Sequence, residues 1–120
     1  MQVSINGTPL VVHLADDDAS RSQGLMGYDG LEENSGMLFR WPTAGDRSFW
    51  MKDTSIPLDI AYISDKGEII EIKQLEPYSL SSVVSSKPAA CALEVNRGWF
   101  DSNGIKPGDV VHGVFNDMPR

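Results

Sequence analysis

Seven residues whose side chains could bind a ligand or take part in catalysis lie within or beside strongly apolar stretches of the sequence. They are Arg21, Trp50, Lys52, Asp53, Thr54, Asp59 and Glu94. Lys52 directly follows Phe49-Trp50-Met51, and Glu94 lies between Leu93 and Val95. Burying a charged side chain is costly unless it is paired and hydrogen-bonded. We therefore expect these charges to pair with one another or to face a binding cleft.

Three interpretations of this set are open. In the first, polar anchors converge on a pocket rimmed by aromatic and thioether side chains; the anchors are Lys52, Asp59 and Glu94, and the rim is Trp50, Met51 and Tyr62. In the second, Arg21 or Lys52 forms a structural ion pair with Asp59 or Glu94. In the third, the two carboxyl groups perform general acid–base catalysis, which requires pKa values that are pushed apart.

The sequence predicts no metal site and no cofactor. Cys91, His13 and His112 are its only cysteine and histidines, and no two of them have the spacing of a zinc site. The acidic run 16–18 is consecutive, whereas a calcium loop alternates its ligands. We interpret this run as the start of a helix, where acidic side chains cap free N–H groups.

Nucleophilic catalysis has little support from the residues. Cys91 lies between Ala90 and Ala92, a setting typical of a buried, inert thiol. A pair of Cys91 with His13 or His112 is the alternative, and no motif favours it. The chain contains neither a G-x-S-x-G motif nor a glycine-rich phosphate loop. No catalytic residue is assigned from the sequence.

Length and charge narrow the class of protein. The 120 residues suit one domain, which we place at 1–115, with a frayed tail at 116–120. Seventeen acidic against ten basic residues give a net charge of −7, which disfavours nucleic acid and anionic membranes. No apolar run approaches the roughly 20 residues needed to span a bilayer. The chain as given is expected to be cytoplasmic, or exported if a signal peptide has been removed.

Short strands dominate the predicted elements. Asn6-Gly7 predicts a β-hairpin of residues 2–5 and 8–14, and alternation predicts a second hairpin at 58–63 and 68–75. Further strands are expected at 37–39, 49–51, 92–95 and 110–115, short helices at 17–26 and 99–103, and a long loop at 76–90. The fold class is α+β, mostly β: a barrel-like antiparallel or mixed sheet of seven or eight short strands with one or two short helices.

The bulky apolar runs are expected to fill the core. These are Leu25-Met26, Met37-Leu38-Phe39 and Phe49-Trp50-Met51. Trp41 and Trp99 adjoin Pro42 and Gly98, so they are expected to be the exposed aromatic residues.

Several blocks resemble the signature of domain-of-unknown-function family 192. They are Arg21 with Gly24-Leu25-Met26, then 36–39, then 49–54 with 56–59, then Leu93-Glu94 with Gly98, and Gly108-Asp109. The resemblance covers about residues 10–115. This chain has Asp53 where the family usually has asparagine, and it shows neither the secretory leader nor the lipoprotein signal of many members. The resemblance implies a small β-rich fold with no assigned activity.

The leading hypothesis is a non-enzymatic binding module that holds a small polar ligand or a partner segment in a shallow cleft. The alternative is a small hydrolase or lyase that uses Asp59 and Glu94, and it requires both carboxyl groups within about 10 Å in one pocket. A pure protein-interaction module is the third possibility, and it predicts a broad apolar patch. The oligomeric state is not predicted.

Overall fold

Residues 1–116 are described by the computed structural model, and they form nine strands and two short helices. In chain order these are β1 Gln2–Ile5, β2 Thr8–Ala15, α1 Asp18–Gln23, β3 Ser35–Gly45, β4 Ser48–Phe49, β5 Leu58–Ile63, β6 Ile69–Leu75, β7 Val83–Val84, β8 Ala89–Asn96, α2 Trp99–Ser102 and β9 Val111–His112. Seven strands form one curled, half-barrel sheet, while β4 and β7 pair separately. The predicted mostly β fold class is confirmed.

The large sheet is mixed, and β8 lies near its middle. Its strand order is β6-β5-β8-β3-β2-β1-β9. β2 and β3 run parallel, and the other neighbours are antiparallel. Glu94 of β8 is in register with Met37 of β3 on one side and with Ile60 of β5 on the other. Residues 89–95 of β8 are all buried, so both faces of this strand are covered.

Each face of the sheet carries its own hydrophobic core. The first core contains Val3, Leu10, Leu38, Ala61, Leu93, Val95 and Phe100, among others. The second contains Leu25, Phe39, Met51, Ile60, Tyr62 and Ala92, among others. Successive side chains of a strand point to opposite faces. Glu94 therefore shares the face of the second core with Ala92, two residues before it.

Local turn and cap chemistry explains the first elements. Asn6 and Gly7 both have positive φ, 51° and 78°, as a type I′ turn requires, and the predicted hairpin is confirmed. Asp17 caps α1 by accepting from the Ser20 backbone N–H at 2.7 Å. The helix ends at Gln23 rather than at residue 26, because Gly24 turns the backbone to a φ of 49°.

Other predicted boundaries were also wrong; the strand predicted at 49–51, for example, is Ser48–Phe49. β3 continues through Trp41-Pro42 to Gly45, and its register with β8 shifts between Arg40 and Gly45. Pro42 lies within this shift, where its missing N–H breaks no pairing to β8. The predicted loop at 76–90 contains β7 and the first residues of β8. The last strand is only two residues long, since Gly113 begins a turn with a φ of 98°.

The tryptophans do not follow the predicted burial. Trp99 was expected to be exposed, yet it is buried, and its Nε1 donates to Asn34 Oδ1 at 2.9 Å. Trp41 is half-buried. Trp50 was assigned to the core, but 48% of its surface is exposed. Adjacent apolar residues in the sequence therefore differ in burial: Met51 is buried, whereas Trp50 beside it is exposed.

Of the predicted tail, only Asn116 falls within the described residues. Among residues 1–116, none of the helices has the length and apolar character needed to cross a membrane.

Candidate functional site

A cavity of about 350 Å³ lies between α1 and the sheet, a volume typical of small-molecule sites. We call it the Glu94 cavity. It is lined by Asp18 and residues 21–26 of α1 and the following turn, by Phe39 and Trp41 of β3, by residues 48–51 and Thr54, and by Glu94 of β8. α1 and the turn after it form one wall, and β4 with the residues that follow it forms the other. Glu94 comes from the large sheet.

Arg21 holds the helical wall against the sheet. Its guanidinium donates to the backbone oxygen of Arg40 at 2.7 Å and to Asp18 Oδ1 at 2.9 Å. Gly24 ends α1 with a positive φ of 49° and lies against the Phe39 ring of β3, where a Cβ would make an ordinary contact at 3.5 Å. These contacts fix the spacing between α1 and β3, and hence the width of the cavity.

The second wall is held by backbone hydrogen bonds rather than by a long strand. Met51 donates its N–H to the Ser79 oxygen at 2.8 Å, and Thr54 Oγ1 donates to the Lys52 oxygen at 3.1 Å. Asp53 adopts a left-handed φ of 55°, and its oxygen accepts from the Gly27 N–H at 3.1 Å. That last bond joins the two walls, so the cavity is largely preformed.

Glu94 is the buried acid of the cavity. Its side chain is flanked by apolar Met37 and Ile60 on the neighbouring strands, and only 4% of its surface is exposed. No hydrogen bond or ion pair reaches its carboxyl group from any of residues 1–116. Burial raises the pKa of this carboxyl to about 8, because the charged form is poorly solvated. At neutral pH the protonated form of Glu94 is therefore favoured.

Aromatic rings build much of the remaining surface. Phe39 and Phe49 meet edge to face with their centroids 4.8 Å apart, and Trp41 and Phe49 meet similarly at 6.1 Å. The Arg47 guanidinium lies 4.1 Å from the centroid of Trp41. The Glu94 cavity is thus lined both by a buried carboxyl group without a partner among the described residues and by aromatic rings, whose faces attract cations.

Comparison with known proteins identifies the chain's relatives. Residues 1–113 match the sequence profile of DUF192, a family described as an uncharacterized ACR. The chain belongs to the DUF192 family. The resemblance predicted from the sequence blocks is therefore confirmed.

Two crystal structures share the DUF192 fold seen here. One is a proposed transcription regulator from Sinorhizobium meliloti, 34% identical, with a TM-score of 0.88 over 92% of this chain and 90% of that one. The other is a protein of unknown function from Novosphingobium aromaticivorans, 32% identical, with a TM-score of 0.87 over 92% of this chain and 83% of that one. No curated protein matches the chain significantly.

The structure brings four of the seven predicted site residues to one place in this DUF192 domain. Arg21, Trp50, Thr54 and Glu94 all line the Glu94 cavity. Lys52 is exposed and does not line the cavity; its Nζ lies 5.6 Å from the centroid of the Trp50 ring. Of the three anchors expected to converge, only Glu94 lines the cavity.

Asp59 lies on the other face of the sheet and has a structural role there. It pairs in register with Val95, a residue of the first core, whereas Glu94 pairs with Ile60 of the second core. Asp59 Oδ2 accepts from the Gly98 N–H at 2.8 Å, and Oδ1 lies 3.3 Å from Arg97 Nε without a hydrogen bond. The shared pocket that an Asp59–Glu94 acid–base pair requires is therefore not formed.

Sequence reasoning missed several residues of this DUF192 domain. Met26, Phe39 and Trp41 line the cavity, and nothing in their local sequence distinguishes them from ordinary core residues. Arg40 is buried and donates to the Val114 oxygen at 2.9 Å, with Asp16 Oδ2 at 3.3 Å. Glu94 was singled out because it is a charged residue between two apolar ones. Arg40 lies between Phe39 and Trp41 in the same way, so the same criterion could have found it.

The cysteine and the metal-binding types of side chain form no further candidate site among residues 1–116. Cys91 is fully buried, and burial raises the pKa of its thiol to about 12, which leaves it protonated. Within residues 1–116 no three side chains of the metal-binding types Cys, His, Asp and Glu come together.

Proposed function

We propose that this DUF192 domain is a non-enzymatic binding module that holds a small polar ligand in the Glu94 cavity. One observation carries the proposal: Glu94 is almost completely buried, borders the cavity, and has no partner among the described residues. Buried polar groups in folded proteins are normally hydrogen-bonded, and leaving one unpaired costs free energy. A ligand with a complementary polar group would offset that cost.

The fixed walls support binding in a preformed site. α1 is capped at Asp17 and joined to β3 through Arg21, and the opposite wall is joined to the helical side through Gly27 and Asp53. A cavity that exists before the ligand arrives requires little ordering on binding, so more of the contact energy appears as affinity.

The acid–base alternative gains no support from the geometry. A second titratable group should lie beside Glu94, but Asp59 faces the opposite side of the sheet. Arg21 is engaged by Asp18, and the Tyr62 hydroxyl donates to the Val83 oxygen at 2.7 Å. Burial also raises the pKa of Tyr62 well above its usual value, which makes it a poor proton donor.

A protein-interaction surface is a second candidate, and a separate observation favours it. Tyr78, Leu80 and Val84 are 63%, 66% and 46% exposed on the segment after β6. The hydrogen bond from Met51 to Ser79 places this segment beside Trp50, which is also exposed. Exposed apolar clusters of this kind often mark contact surfaces.

A screen by NMR tests the first proposal. Small amines, alcohols, amides, carboxylates and sugars would be titrated into ¹⁵N-labelled protein. We expect at least one class to shift the signals of Gly24, Glu94 and the Trp50 indole. Glu94→Gln should weaken that binding about tenfold or more, since hydrogen bonds to a charged group contribute roughly 1.5–3 kcal/mol.

The matched control is Glu33→Gln, which makes the same change at an exposed carboxyl outside the cavity. It should leave the binding unchanged. Shifts confined to Tyr78, Leu80 and Val84, or binding that survives Glu94→Gln, would contradict the cavity proposal.

A further inference from the structure

We infer that the Glu94 cavity recognises a cation, the ammonium group of a primary or methylated amine. The inference rests on the proposed function and names the class of ligand. It combines two features of the lining: one carboxyl without a partner, and aromatic rings and thioethers around it.

The charges of the lining favour a cation. Three charged residues line the cavity: Asp18, Arg21 and Glu94. Arg21 and Asp18 form an ion pair at 2.9 Å, so their charges offset each other at the mouth, where Asp18 is fully exposed. Glu94 is left as the acid of the lining without a partner among the described residues, and it carries an uncompensated negative charge when it is ionised. An anionic ligand would meet this carboxyl and find a guanidinium already engaged.

The apolar part of the lining suits the same ligand. Phe39, Trp41, Phe49 and Trp50 supply four rings, and Met26 and Met51 supply two polarisable sulfur atoms. Ring faces attract cations electrostatically, and the attraction is stronger where water is excluded. Two of the four rings already face cations of the protein. Arg47 and Arg21 lie 4.1 Å and 5.6 Å from the centroid of Trp41, and Lys52 lies 5.6 Å from that of Trp50.

The binding should depend on pH in a diagnostic way. Because burial raises the pKa of Glu94 to about 8, a bound cation must displace a proton at neutral pH. Affinity should then fall about tenfold for each pH unit below 8, and level off above it. A neutral ligand that accepts a hydrogen bond from the protonated acid should show the reverse, losing affinity above about pH 8.

Several charged or titratable groups surround the cavity, and Arg47 and Lys52 lie against its Trp41 and Trp50 rings. Across the cavity, α1 contributes the Asp18–Arg21 pair. On β5 the nearest titratable group is Tyr62, whose raised pKa keeps it neutral. In the row of the sheet through Glu94, apolar Met37 and Ile60 separate it from the charged or titratable residues of the outer strands, His13 on β2 and Lys73 on β6.

Matched cationic and neutral probes test the inference. Choline would be compared with 3,3-dimethylbutan-1-ol, its uncharged isostere, and propylammonium with propanol, between about pH 6 and pH 9. The readouts are the Trp50 indole signal and the backbone signals of Gly24 and Glu94. At least one cation should bind tenfold or more tightly than its neutral counterpart, with the affinity rising toward pH 8.

Variants check that Glu94 is the cause. Glu94→Gln should reduce the cation to the affinity of the neutral probe, while Glu94→Asp, which keeps the carboxyl, should retain the preference. Glu33→Gln should behave as wild type. If the alcohols bind as well as the amines, or affinity falls above about pH 8, the cation inference is wrong and the binding proposal stands. If no probe of any class perturbs the cavity, both are wrong.

Discussion

Glu94 and Asp59 are buried carboxyl groups on adjacent strands, and their surroundings give them different roles. Asp59 accepts a hydrogen bond from the Gly98 N–H and lies beside Arg97, so it holds the turn from β8 into α2. Glu94 has apolar neighbours on both adjoining strands and faces a cavity. At the scale of single residues, a buried acid held by a backbone N–H and a guanidinium supports the fold, while one that borders a cavity and has no partner among the described residues indicates a site.

The first prediction concerns Glu94 and the pH dependence of stability. Its pKa is raised from 4.5 to about 8 by burial, so the folded protein binds more protons than the unfolded chain between these values. The free energy of unfolding should therefore fall as pH rises from about 4.5 to about 8. Glu94→Gln has no carboxyl to titrate, so its free energy of unfolding should not show this fall. The difference in unfolding free energy between the variant and wild type should therefore shift by a few kcal/mol in favour of the variant between about pH 5 and about pH 8.5.

Urea unfolding at about pH 5 and about pH 8.5 measures this difference. Glu33→Gln should follow wild type at both pH values, because its carboxyl is exposed. An equal effect of Glu94→Gln at both pH values would show that Glu94 titrates normally in the folded protein.

At the scale of elements, the position of Glu94 depends on how closely β3 approaches β8. Gly36 makes this approach possible, since a Cβ there would lie 2.6 Å from the backbone oxygen of Glu94 and 3.2 Å from Val95 Cγ1. The strands cannot keep their spacing with a side chain at this point. A glycine of β3 thus determines the position of a residue on a different strand.

The second prediction follows from that contact. Gly36→Ala should force β3 and β8 apart and lower the free energy of unfolding by about 1–3 kcal/mol, a typical cost of overpacking. It should also shift the NMR signals of residues 93–95. Gly30→Ala is the matched control, because a Cβ at Gly30 has nothing within 4 Å. Equal stabilities of the two variants would exclude a steric role for Gly36.

For the whole molecule, one sheet separates a structural face from a binding face. The first core packs α2 against one side of the sheet, including its strands β1 and β9, and the second core packs the residues around α1 and β4 against the other side. The cavity opens only on the second side. Substitutions in the first core should therefore change stability without changing ligand affinity, while substitutions in the cavity lining should change ligand affinity.

The third prediction separates these two faces. Leu93→Ala removes a fully buried side chain of the first core and should cost about 2–5 kcal/mol of stability, with ligand affinity unchanged while the protein is folded. Trp50→Ala changes a half-exposed residue of the cavity and should alter stability by about 0.5 kcal/mol or less, yet weaken binding. Chemical denaturation and NMR titration of both variants check this. If Leu93→Ala lowers ligand affinity under conditions where the variant is fully folded, the two faces of the sheet are not independent.

Local chemistry in the sequence was enough to predict the element types and the family. Asn6-Gly7 specified the first hairpin, alternation specified β5 and β6, and the run of three aspartates specified the start of α1. Such signals depend on residues a few positions apart, and they were confirmed. They failed at boundaries such as Pro42 and residues 113–115, where pairing with distant strands decides which residues join a strand.

The tertiary structure decided the site. The sequence singled out seven residues and gave most weight to Lys52, Asp59 and Glu94, of which only Glu94 lines the cavity. The face to which a strand residue points depends on register, so Asp59 and Glu94 were separated only when β5 and β8 paired. Whether a buried charge has a partner likewise depends on contacts between distant elements. The sequence by itself determined the element types and a short set of charges within apolar stretches. The folded sheet determined which of those charges are buried, and that Glu94 faces a cavity without a partner among the described residues.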